Sequence, residues 1–250
     1  MRIAVLIKRV PDTETRFTIA ADGKSVDATG LKYDMSDFDG YAVEVALQLA
    51  EKRPGSEVTI ISLGPDAVQE TIRKALSMGA DRGIHLRAAD VPFDSLAIAE
   101  ALAAELGGGG YDLILFGRNA TDSGNGSVGT MTAELLDLPC VTAISELHVE
   151  EGKGTARREL EGAAEMVEFP LPAVLTIDEG IARPRLPGLK GIMAAKKKPI
   201  DVRDARVGNA RVTIEKLALP PERAAGRIVG EGPDAVPELV RLLQTEAKVL

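Results

Sequence analysis

The chain has 250 residues, a formal charge of −8, a single cysteine, no tryptophan, three tyrosines and five phenylalanines. That length buries a core as one domain of ordinary size with room for an appendage, and the lone Cys140 excludes an internal disulfide and a cysteine-cluster metal site. Lys and Arg are not interleaved with aromatics, which disfavours general nucleic-acid binding. No presequence-like pattern follows Met1 and no run of about 18 apolar residues occurs, so a soluble protein of the cytoplasm is expected. Cys140, beside Pro139 in an apolar context, is expected to be a buried structural thiol.

In chain order, Arg2 to Lys8 is an apolar run of the kind that forms the first central strand of an α/β fold. At its end, Lys8 and Arg9 place positive charge either in the crevice where open α/β sheets bind ligands or in a salt bridge at the rim. Residues 13–32 are polar with alternating β-branched positions and predict a small hairpin excursion. Asp34, Ser36, Asp37 and Asp39 crowd before a helical pattern that begins at Ala42, and one of these acids is expected to cap that helix. Glu57 to Leu63 reads as the second strand, and Gly64-Pro65-Asp66 launches a helix through Met78 that Gly79 closes. A short strand at Gly83 to Leu86 holds His85, expected to be satisfied in the core or at an edge. Asp94 to Leu106 carries Ala97, Ile98, Ala101, Leu102 and Leu106 on one helical stripe.

Leu113 to Phe116 is an apolar run suited to a strand buried on both faces of a parallel sheet. From Gly117 to Gly129 only small and hydrogen-bonding residues follow, and Met131, Leu135 and Leu136 then resume at helical spacing. A polar loop between strand and helix lets backbone N–H groups and the helix dipole face an anion, so the loop is expected to hold a nucleotide phosphate. Gly129 is expected to leave room for that phosphate and to adopt positive φ.

After Pro139 short alternating segments separated by turn residues predict antiparallel hairpins through Phe169, and Leu171 to Ile177 returns to a buried strand. The segment 183–199 is punctuated by proline, with Leu189, Ile192 and Met193 at i, i+3, i+4 beside Lys196, Lys197 and Lys198. It reads either as a solvated basic loop or as a docking knob that combines a leucine anchor with steering charge. Between Asp201 and Leu219 only Val212 to Leu217 looks strand-like, and residues 220–233 are extended. Ala235 to Val249 predicts an amphipathic helix, which favours a tail that lies across a partner over a disordered one. The fold class expected is therefore α/β: a Rossmann-like, doubly wound, mainly parallel sheet over 1–219, with a hairpin excursion and an arm over 220–250.

The chain resembles the β subunit of an electron-transfer flavoprotein along essentially its whole length. The KRVPD opening, Phe38 before Ala42-Val43-Glu44, the block from Gln69 to His85, the Gly117 loop, Leu171-Pro172-Ala173-Val174 and the LKGIMAAKKK segment occur in the family's order. The resemblance implies a heterodimer whose α subunit holds most of a redox FAD, while the β subunit binds AMP in a structural role, or a second FAD in the electron-bifurcating branch. It implies an electron carrier and not an enzyme, serving flavin dehydrogenases such as acyl-CoA dehydrogenases and a quinone-linked flavoprotein oxidoreductase.

Carried over by position, adenine and ribose contacts fall on Leu6, Ser36, Asp37, Phe38, Asp39 and Leu63. The phosphate loop falls on Gly117, Arg118, Asn119, Ala120, Thr121, Asp122, Ser123, Gly124, Asn125, Gly126, Ser127, Val128 and Gly129. Thr13 and Phe38 match positions that approach the redox flavin, and Leu189 matches the leucine that enters a pocket on acyl-CoA dehydrogenases. Residues 122–130 share Val128 and Gly129 with the bifurcating pattern but lack its second Asp, its Ala-Gln pair and its Pro, which favours AMP. A stand-alone universal-stress-type nucleotide-binding module is the other class; its GxxG loop is not met, since Ala120 takes the fourth position. No GxxxxGK[ST], HExxH, CxxC or GxSxG pattern offers catalysis.

Overall fold

The computed structural model describes residues 1–222 and 225–250, so two positions of the expected arm lie outside the described residues. The chain divides into two units, Met1–Lys216 and Leu217–Leu250. In the first, β1 (Arg2–Leu6) leads into β2 (Arg9–Pro11) and β3 (Tyr33–Met35), then α1 (Asp37–Glu51), β4 (Glu57–Gly64), α2 (Val68–Met78), β5 (Arg82–Arg87), α3 (Ser95–Leu106) and β6 (Leu113–Gly117). There follow α4 (Val128–Leu135), β7 (Cys140–Val149), β8 (Lys153–Leu160), β9 (Ala163–Pro170), β10 (Ala173–Ile177), α5 (Leu189–Ala195) and β11 (Ile200–Asp204).

Among the described residues one sheet of nine strands runs in the order β11-β5-β4-β1-β6-β10-β7-β8-β9. It is parallel from β11 to β7 and antiparallel through β8 and β9. The apolar runs are continuous because both faces are covered. Ile3, Val5, Ile60, Leu113 and Leu115 pack with residues of α1 and α2, while Ala4, Leu6, Ile61, Ile114 and Phe116 pack with residues of α3 and α4. The chain steps from β1 outward through β4 to β5 and then crosses back to β6, so β1 and β6 are neighbours whose crossovers leave in opposite directions. That is the switch point where open α/β sheets bind ligands.

Several expectations need correction. The first helix is capped by Ser36, with no side-chain cap bond, and not by one of the acids; Asp39 turns back toward the sheet instead. Ile200–Asp204 forms a parallel edge strand on β5, whereas Val212 to Leu217 forms none. Edge position explains the miss: Val202 is exposed and its neighbours are charged, so no apolar run marks the strand. Cys140 is exposed, because it opens β7 with its side chain turned outward and the burial of that strand starts only at Val141. The expected hairpin excursion is present as the β2/β3 pair and an Ile19–Val26 bridge. His85 is fully buried and satisfied, with Nε2 at 2.8 Å from the Gly64 carbonyl and Nδ1 at 3.4 Å from Gln69.

In the second unit the helix is shorter than expected. A turn at Pro233–Ala235 precedes α6 (Val236–Leu242), and a wider π turn over Leu243–Ala247 ends it. Leu239 and Val240 are exposed.

Candidate functional site

At the carboxyl edge, the strands that part at the switch point are joined by one side chain. Asp39, in the first turn of α1, accepts from the Lys8 amide at 2.7 Å through Oδ2 and from the Gly117 amide at 3.2 Å through Oδ1. Burial pushes its carboxyl up to about 7, against those two amides and the Lys8 charge, and Asp122 adds to the rise. The approach requires glycine at 117: a Cβ there would lie 2.5 Å from Asp39 Oδ1 and 2.7 Å from the Asp39 amide.

The loop after β6 is tied to α1 by Ser36, whose Oγ accepts from the Thr121 amide at 3.3 Å. Gly124 and Gly126 turn it with φ of +64° and +60°, the left-handed region glycine enters freely. Arg118 leaves the loop outward to Asp178, 3.0 Å away. Lys8 Nζ reaches across from the end of β1 to Asp122 Oδ1 at 2.7 Å. Of the two readings of the basic pair after β1, Arg9 is spent on the face of Tyr33 and Lys8 faces the crevice while also forming an ion pair. Gly129 plays another part than expected. Its φ is not positive, it lies inside α4, and a Cβ would meet Thr176 Cγ2 at 2.9 Å and Phe116 at 3.2 Å. It lets the helix sit close on β6 and β10.

These elements enclose a cavity of about 320 Å³. One part of its lining is apolar (Leu6, Ile61, Leu63, Phe93, Ile98, Leu102, Phe116); the other is built from Lys8, Asp39 and the loop, at Gly117, Arg118, Asn119, Ala120, Asp122, Ser123, Asn125, Gly126, Ser127, Val128 and Gly129. Asn119 Oδ1 is buried without a hydrogen-bond partner, an acceptor that lacks its donor. The cavity brings together most of the residues expected from the sequence, but Ser36, Asp37, Phe38, Thr121 and Gly124 do not line it. Asp37 is exposed, and Phe38 stacks edge-on with Tyr41 at 6.4 Å, while Thr13 is exposed on the excursion. Sequence reasoning missed the wall from Val91 to Ser95 with Ile98 and Leu102. An available signal was Val91-Pro92-Phe93, an apolar triplet between a strand end and the Asp94 cap, whose Oδ1 accepts from Leu96 and Ala97 amides.

A second feature lies on α5. Leu189, Ile192 and Met193 are 76%, 44% and 62% exposed on a helix that is firmly seated. Gly191 brings the backbone against α2, where a Cβ would lie 2.5 Å from the Ser77 carbonyl. Arg73 donates to the Ala195 and Lys198 carbonyls, both at 2.6 Å, and Arg185, entering the segment, donates to the buried Glu44 from Nε at 2.8 Å. Lys196 and Lys197 are exposed, but Lys198 is not part of the same charge patch. Its Nζ donates to the Leu76, Gly79 and Ala80 carbonyls at the end of α2, and burial holds its pKa below the usual lysine range.

Among the described residues no helix is long and apolar enough to cross a membrane, and no group of three or more His, Cys, Asp or Glu is placed to hold a metal ion. The electron transfer flavoprotein domain model matches residues 24–207. The chain is 39% identical over 234 residues to the electron transfer flavoprotein subunit beta of Syntrophomonas wolfei, covering 94% of this chain and 92% of that one. It is 37% identical to the Bacillus subtilis protein of the same name over the full length of both, and 37% identical to that of Homo sapiens over 96% of each.

Proposed function

The chain belongs to the electron transfer flavoprotein family, with the proteins named as its β subunits, and on that premise we propose that it binds AMP structurally and works as the β half of a heterodimeric electron carrier. The observation that carries the nucleotide reading is the cavity at the switch point, apolar on one side and loop-lined on the other. At about 320 Å³ it stands at the small end of ligand pockets, which favours a mononucleotide over a dinucleotide. Leu6, Leu63, Phe93 and Phe116 offer an apolar bed for a base, and the amides from Ser127 onward at the start of α4 offer donors to a phosphate. Nothing in that arrangement activates a nucleophile toward phosphorus, so the nucleotide is bound and kept, where it braces β1, β6 and the loop against one another.

In this reading the α subunit holds the FAD, which supplies one- and two-electron redox chemistry, and the arm over 220–250 embraces that subunit. Electrons come from flavin dehydrogenases such as acyl-CoA dehydrogenases and leave to a quinone-linked oxidoreductase, in the cytoplasm. The exposed trio on α5 is the dehydrogenase anchor: a leucine held out from a rigid mount enters a pocket without ordering cost, and Lys196 and Lys197 steer the approach. The test is to purify the chain with its α subunit and identify released nucleotides by mass and absorbance. One AMP and one FAD per heterodimer are expected. Two FAD would transfer the site to the bifurcating type, and no nucleotide in this chain's share would remove the reading.

A further inference from the structure

The titratable residues that line the cavity are Lys8, Asp39, Asp94, Arg118 and Asp122. Three of them are held in place by other partners. Asp39 is spent on the Lys8 and Gly117 amides, Asp94 on amides of Leu96, Ala97, Arg211 and Val212, and Arg118 reaches Asp178. Lys8 and Asp122 have each other. With Asp39 held toward its neutral form by burial, Lys8 and Arg118 bring two positive charges to the cavity and Asp94 and Asp122 two negative ones, a poor reception for a phosphate unless the lysine is released toward it.

We propose that Lys8 is the residue by which this cavity distinguishes a phosphorylated ligand from its unphosphorylated counterpart, and that Asp122 is the counter-charge it gives up when the phosphate arrives. The inference rests on the nucleotide reading of the cavity and adds a specificity residue to it. The backbone of Lys8 is fixed at both ends, since its amide donates to Asp39 at 2.7 Å and its carbonyl accepts from the Ser36 amide at 3.1 Å. Only the side chain is free to move. Its side chain is 40% exposed and that of Asp122 is 27% exposed, so the pair is solvent-screened and weak, and a dianion outcompetes a single carboxylate for the same ammonium. In the absence of phosphate the pair keeps a lone lysine from repelling Arg118 and keeps Asp122 from the buried Asp39.

The experiment is calorimetric titration of the nucleotide-free full chain with AMP and with adenosine, for wild type, Lys8→Met, Lys8→Arg and Asp122→Asn. Wild type is expected to prefer AMP by at least about tenfold. Lys8→Met should remove most of that preference while leaving adenosine affinity within about twofold, and Lys8→Arg, folded alike and still cationic, should retain it. Asp122→Asn should tighten AMP several-fold, by removing its competitor, and leave adenosine unchanged. If Lys8→Met weakens AMP and adenosine equally, or Asp122→Asn weakens AMP, the exchange is wrong while the nucleotide site stands. If wild type binds neither compound, the nucleotide reading fails and the inference falls with it.

Discussion

Arg73 and Lys198 cap each other's helices. The guanidinium, on α2, donates to the last carbonyls of α5 and its turn, at Ala195 and Lys198; the ammonium that follows α5 donates back to Leu76, Gly79 and Ala80 at the end of α2. Each cation thus meets the negative end of the other helix's dipole and satisfies carbonyls that have no intrahelical partner. Lys198→Met keeps the stem and removes three such bonds. It is expected to lower unfolding stability by about 1–3 kcal/mol in urea titration. It should also raise hydrogen exchange across Leu189 to Ala195 while AMP binding stays unchanged. Unaltered exchange there would mean that Gly191 packing alone seats the helix.

Leu189→Ala tests the other side of the same helix. With the side chain largely in solvent, the substitution should leave the unfolding midpoint in place. Electron transfer from a dehydrogenase at sub-saturating concentration should fall by an amount equal to about 1–3 kcal/mol of docking, while reduction of the flavin by dithionite stays the same. An unchanged dehydrogenase-driven rate would return α5 to being a solvated surface turn.

How much of this was legible in the sequence depends on whether a feature is local. The central strands could be read because burial on both faces leaves an uninterrupted apolar run, as in Leu113 to Phe116. The polar loop that opens at Gly117 could be read from its small residues. The roles of single polar side chains could not. Asp39 looked like a helix cap because its bonds run to Lys8 and to Gly117, 31 and 78 positions away, and no local pattern carries that. Lys198 looked like part of a lysine patch because its acceptors lie near Ala80, 118 positions back. The Val91 to Ser95 wall was passed over because short apolar triplets in connections are common, and β11 because half of an edge strand's side chains face water.

The glycines of the site should separate by mechanism. Gly129→Val places atoms into Thr176 and Phe116, neither of which is a flexible chain end, so α4 must lift from the sheet at about 1–3 kcal/mol. Nucleotide affinity should fall with it. Gly124→Ala meets nothing within 4 Å, yet its φ of +64° is one that a side chain disfavours, at about 1 kcal/mol. Thermal unfolding should therefore show a smaller shift for Gly124→Ala than for Gly129→Val. The reverse order would mean that the loop's conformation, and not helix seating, governs the site.

The staple formed by Asp39 should also set a pH dependence. Its carboxyl titrates near 3.8 when unfolded and is raised to about 7 in the folded chain, chiefly by burial. Between those values the folded state binds a proton that the unfolded state has released. Stability from this group is therefore fully present below the lower value and declines as pH rises through the window, by up to about 4 kcal/mol at roughly 1.36 kcal/mol per unit. Asp39→Asn does not titrate, but its amide can accept from only one of the two backbone N–H groups and turns an NH2 toward the other. The variant should be clearly less stable than wild type at pH 5, and the gap should narrow by pH 8, where wild type carries its buried charge. Other carboxylates, Glu44 and Asp94 included, titrate alike in both proteins and cancel in the difference. Urea midpoints at pH 5, 6.5 and 8 measure it. Parallel curves would show that the carboxylate keeps its ordinary pKa, as it would if water reached the junction of β1 and β6 and relieved the burial that raises it.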